Sequence, residues 1–147
     1  MELMDESTMN TVEIGVNIVW SPGMRRYIWT FDGPGVDPTN GNFTLPDHGK
    51  TAIIYTLDEQ CADTYQLVYV NLDPENCATY EIEKVHVHQE TNSITIIDRN
   101  SFNYTRTTPF CLRLAARMTN NIGSGFLSPD PQVTNNPHPP MPCPDPK

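Results

Sequence analysis

Apolar side chains return at every second position through much of this chain. The clearest run is residues 110–119, FCLRLAARMT. Phe110, Leu112, Leu114, Ala116 and Met118 alternate there with Cys111, Arg113, Ala115, Arg117 and Thr119. Period two is the signature of an extended strand with one buried face, and the other face here carries two arginines. The pattern predicts the central strand of an all-β domain. A short helix is the alternative, with Thr108 as N-cap, Pro109 at its first position and Gly123 beyond its end. Strand is preferred because the other apolar runs are short or β-branched.

The same alternation marks residues 12–20 (Val12, Ile14, Val16, Ile18, Trp20), ended by the turn formers Ser21-Pro22-Gly23. Tyr27, Trp29 and Phe31 then share one side of residues 26–31. Residues 43–45 allow a short strand before Pro46. Residues 51–57 (TAIIYTL) lack a polar face, as expected of a strand central in a sheet. Residues 58–63 read as a turn and residues 65–72 as a strand. In residues 80–88 the apolar positions Ile82, Val85 and Val87 change parity, which predicts a bulge or a switch between sheets. Residues 93–98 complete a hairpin with it. Residues 99–108 read as a polar connection and 120–125 as a glycine-bearing turn. Pro129 and Pro131 mark 126–134 as an edge segment.

Seven to nine short antiparallel strands separated by turns predict an all-β fold, a β-sandwich, with a closed barrel as the alternative. The domain is expected over residues 12–134. Residues 1–11 are expected to be a mobile segment, and residues 135–147, rich in proline, a disordered tail. The strand order, ending in FCLRLAARMTNNIGSGF and then SPDPQVTNNP, resembles an immunoglobulin-like sandwich. Within that class the chain resembles the bacterial DP-EP family over roughly residues 12–137. Ser128-Pro129-Asp130-Pro131-Gln132-Val133 is the most distinctive stretch. The resemblance implies an immunoglobulin-like fold and brings no activity with it. The Cys…Trp…Cys arrangement of antibody domains is missing.

A length of 147 residues suits one domain. The net charge of −9 argues against binding to nucleic acid or to an anionic membrane surface. No apolar run approaches a membrane span. The acidic opening MELMDESTMN lacks the features of a secretory signal, so a cytoplasmic location is expected, or an extracellular one if the chain is a processed form. Cys61, Cys77, Cys111 and Cys143 show no C-x-x-C spacing, and Cys61 and Cys77 could pair in an oxidising compartment. The glycosylation-like triplets at Asn42 and Asn103 read as chance in that context.

Candidate chemistry is sparse. His86 and His88 stand two apart on an expected strand, so both imidazoles can reach one metal ion, with Glu81, Glu83 or Glu90 as further ligands. Asp32, Asp37, Asn40 and Asn42 fall in one loop that could offer oxygens to calcium, although turn formation also explains them. Gly123-Ser124-Gly125 is not the nucleophile elbow of a hydrolase. Cys111 reads as a small packed residue. Tyr27, Trp29 and Phe31 read as core ahead of a binding platform. The tail sequence Pro137-His138-Pro139-Pro140 lacks an adjacent cation for a proline-groove ligand. The expectation is a non-enzymatic, immunoglobulin-like protein without cofactor. It would act through protein contact and form a homodimer through sheet faces or edges. The alternative is a metal- or small-ligand-binding protein that uses His86 and His88.

Overall fold

The computed structural model describes residues 9–72, 81–100, 110–120, 125–129 and 132–134. In chain order the elements are β1 (Asn10–Ser21), β2 (Arg26–Asp32), β3 (Phe43–Thr44), β4 (Thr51–Leu57), α1 (Glu59–Ala62) and β5 (Tyr65–Leu72). Then come β6 (Ile82–His88), β7 (Ser93–Asp98), β8 (Phe110–Met118), β9 (Gly125–Leu127) and β10 (Gln132–Thr134). They form two open sheets. One runs β2-β1-β4-β7-β6; the other runs β3-β10-β8-β5, with β9 also paired to β8. The all-β expectation is borne out, and open sheets remove the barrel alternative.

The alternation in the sequence builds the core between the sheets. Ile14, Val16 and Ile18 of β1 and Ile53, Tyr55 and Leu57 of β4 are buried from the first sheet. Leu67 and Val70 of β5 and Leu112, Leu114 and Ala116 of β8 meet them from the second, in one apolar cluster. Each fully buried aliphatic side chain in such a layer contributes about 1.5–3 kcal/mol. β4 is central in its sheet, as its lack of a polar face requires. The parity change in β6 is a bulge: its register against β7 shifts between Ile82 and Lys84.

Side chains tie the two layers together at both flanks. On the β2–β9 side, Tyr27 stacks on Phe126 with ring centroids 3.8 Å apart, and Tyr65 meets both rings edge-on. On the opposite side the tie is Asn92, in the β6–β7 turn with φ of 52°. Its carboxamide accepts the Leu67 N–H at 2.8 Å and donates to the Tyr65 carbonyl at 3.1 Å. It therefore pairs with the outer edge of β5 as a neighbouring strand would.

Several expectations are corrected in detail. There are ten strands among the described residues, not seven to nine. Two pairings, β1–β4 and β3–β10, are parallel. Residues 58–63 hold a single helical turn, α1, where Asp58 caps the start by accepting the Gln60 N–H at 3.0 Å. Trp20 is 46% exposed at the end of β1, outside the buried face its parity predicts, and packs edge-on against Tyr27. The last segment divides into β9 and β10, and β10 is not an edge, because β3 covers it.

Ser128 explains the division. It is buried between β9 and β10, its N–H donates to the Leu114 carbonyl at 2.8 Å, and its hydroxyl accepts the Leu114 N–H at 2.9 Å. One serine thus supplies both ladder partners of Leu114, the second of them through its side chain. Prolines cannot donate to a ladder, and the described pairing with β8 resumes at Gln132 in β10.

Candidate functional site

His86 and His88 lie on β6, the edge strand of the first sheet, on the face shared with Thr95 and Ser93 of β7. Both are exposed, and their rings stack with centroids 5.9 Å apart at 26°. The strand period thus brings the two imidazoles together as the sequence suggests. The three carboxylates named with them are placed otherwise. Glu81 is buried at the base of the strand. Glu83 pairs with Lys50 at 2.8 Å, and the hydrogen bond from Lys50 holds its carboxyl below the usual range. Glu90 sits in the hairpin turn. Among the described residues no group of three His, Cys, Asp or Glu side chains is arranged to hold a metal ion.

The oxygen-rich loop is organised by its own backbone. Asp37 Oδ1 accepts the N–H groups of Thr39 and Asn40 at 2.8 and 3.3 Å, and Asn40 Oδ1 accepts the Asn42 N–H at 2.8 Å. Gly41 turns the chain at φ +79°, and a Cβ there would press on the Phe31 ring at 3.0 Å. Turn formation accounts for these polar residues.

Tyr27, Trp29 and Phe31 pack into the core. Cys61 is a buried anchor for α1: its thiol reaches Asn17 Oδ1 at 3.0 Å and accepts the Ile18 N–H at 3.4 Å. Cys111 is half-buried on β8. Cys77, Cys143, Asn103, Gly123, Ser124 and the proline-rich tail lie outside the described residues, and Gly125 opens β9.

Among the described residues, two open depressions mark the surface. One of about 320 Å³ lies over Gly15 and is lined by Asp32, Asp58 and Glu59. The other lies between Val36 and Thr134. Neither is lined by a histidine or a cysteine. No helix among the described residues is long and apolar enough to cross a membrane.

The outer face of the second sheet is built differently. Register places Tyr69 of β5, Ala115 of β8 and Leu127 of β9 side by side. Tyr69 is 56% exposed and Leu127 48%. Arg113 stands opposite Asn71 on one side of this row, and Arg117 opposite Gln66 on the other. The Arg117 guanidinium is fixed by two bonds to Gln66 Oε1 at 3.0 and 3.3 Å. Arg113 donates to the Ser128 carbonyl at 3.2 Å. The strands YQLVYVNL, FCLRLAARM and GFL contain no Asp or Glu in a chain that has 18 of them. The alternation of β8 exposes both arginines to sequence reading. Tyr69 and Leu127 join them only through the register.

Among curated proteins no match was found. Among solved structures the chain is similar to an inclusion body protein (PixA) from Burkholderia cenocepacia J2315, at 9% identity and a TM-score of 0.43, over 90% of this chain and 96% of that one. A likeness of that size assigns nothing to this chain. The family comparison matches residues 10–137 to the DP-EP family model, nearly the whole span from β1 past β10, and the chain belongs to the DP-EP family.

Proposed function

We propose that this protein acts by protein contact, without catalysis, and that it associates with a second copy through the outer face of β5, β8 and β9. One observation carries this reading: an exposed Tyr69–Ala115–Leu127 row flanked by two arginines, on three strands without a carboxylate. Two molecules of net charge −9 repel one another. Their closest approach is easiest where the local charge is least negative and apolar surface can leave water. Tyr and Arg are also the side chains most enriched where contacts concentrate their binding energy. Held guanidiniums lose little further freedom on docking, which lowers the entropic penalty of association.

Sedimentation equilibrium of the full chain at tens of micromolar tests the reading. A dimer is expected. The double variant Tyr69→Glu/Leu127→Glu should be monomeric with an unchanged far-ultraviolet circular dichroism spectrum. A monomeric parent protein, or a dimer indifferent to the double variant, overturns it.

A further inference from the structure

β6 holds two imidazoles on one exposed face, and among the described residues no third ligand joins them. Zinc takes four ligands, with Zn–N near 2.0–2.1 Å, which sets two ring centroids about 5 Å apart. The observed 5.9 Å is close to that, and both side chains are exposed and able to rotate. One chain therefore supplies half of a tetrahedral site. β6 is also a sheet edge, and an edge presents backbone groups that a second strand can pair with.

The sequence of the strand is self-complementary in one register. A two-fold axis through Val87 sets two copies of β6 antiparallel, with Val87 against Val87 and His86 against His88 of the second copy. The same register sets Lys84 against position 90 of the second copy, which is Glu90 in the turn just past the strand. Lys84, His86 and His88 share one face, so the four imidazoles gather on it with a Lys–Glu pair at each end. Val87, an exposed apolar side chain, meets its twin on the other face. The strand is regular from Lys84 to His88, beyond the bulge. Thr95 and Ser93 lie opposite His86 and His88 on β7, where their hydroxyls can accept the ring N–H that does not face the metal.

We infer that β6 is a zinc-bridged contact between two copies of this chain, with His86 and His88 of each as the four ligands of one ion on the two-fold axis. The ion's charge offsets part of the repulsion between two acidic molecules. This contact is separate from the sheet-face contact proposed above, and the test keeps the two apart.

Chelator-stripped full-length protein carrying Tyr69→Glu/Leu127→Glu, which removes the sheet-face contact, is titrated with zinc in sedimentation velocity runs. The expected result is a doubling of mass that saturates at one zinc per two chains and reverses with EDTA. His86→Ala and His88→Ala should each weaken the zinc-driven association at least about tenfold, by loss of a ligand. Lys84→Glu and Glu90→Lys should each weaken it about two- to fivefold, as expected of exposed ion pairs. Together those two changes should restore it. Unchanged mass in excess zinc overturns the inference, as does one zinc per chain without association. A doubling that survives both histidine changes does the same. A charge swap that fails to restore binding overturns the register. In the parent background, metal-free dimerisation reports on the sheet-face contact alone.

Discussion

Asn92 allows the joining of the two sheets to be measured at one residue. Replacing it with alanine removes the acceptor of the Leu67 N–H, on a residue with no exposed surface, and the donor to the Tyr65 carbonyl. Leaving a buried donor unsatisfied costs about 1–3 kcal/mol, and losing the second bond about 0.5–1.5 kcal/mol. Alanine must also adopt the φ of 52° held by Asn92, in a region that costs a non-glycine residue about 1–2 kcal/mol. The total expected for Asn92→Ala is therefore about 2.5–6.5 kcal/mol, a large part of the stability of a domain this size. Asn92→Gly removes the bonds but not the preference for positive φ, so it should lose about 1 kcal/mol less than alanine. Asn92→Asp keeps an acceptor for Leu67 and loses only the donor, so it should be the mildest. Urea unfolding at neutral pH, followed by fluorescence and with unchanged m-values, gives the three numbers. An alanine variant within about 0.5 kcal/mol of the parent would refute the clamp, since a surface substitution alone has that effect. So would glycine less stable than alanine.

Tyr55 has no exposed surface, and its hydroxyl has no hydrogen-bond partner among the described residues. Tyr55→Phe should therefore be neutral or stabilising by about 1–3 kcal/mol, read by thermal or urea unfolding. Burial also pushes the Tyr55 hydroxyl above its ordinary value of 10.0. The unfolded chain then releases this proton first, and stability falls as pH rises above about 10 by up to about 1.4 kcal/mol per pH unit. Between pH 10 and 11 the parent should lose about 1 kcal/mol relative to the phenylalanine variant; parallel curves would contradict it. Ser128→Ala leaves the Leu114 N–H without its acceptor in the gap between β9 and β10, with an expected loss of about 1–3 kcal/mol. Hydrogen exchange at Leu114 should rise with it, and unchanged protection there would count against the serine's role as a ladder partner.

The parts of this fold that were legible in the sequence are the ones that period two determines. β8, and β1 as far as Ile18, declare their buried faces residue by residue, and the parity break in β6 marks its irregularity before any pairing is known. β5 does not follow simple alternation, because its register shifts between Leu67 and Tyr69 and buries both Leu67 and Val70, which alternation sets on opposite faces. What alternation does not encode is which strand lies beside which. Nothing local to residues 10–16 distinguishes a parallel neighbour from an antiparallel one, because the same inward row serves both. The parallel pairing with β4 is settled by how the whole sheet packs. Polar residues that stand in for backbone were equally hidden: Asn92 looks like a turn former and Ser128 like the start of a proline turn. Each acts on a strand well separated from it in sequence, 25 residues away for Asn92 and 14 for Ser128. The same limit applies to the candidate surfaces. The two-residue spacing of His86 and His88 reveals their shared face directly. Tyr69 and Leu127 are far apart in the sequence and unremarkable singly, and only the ladder through Ala115 makes them one apolar row between two arginines.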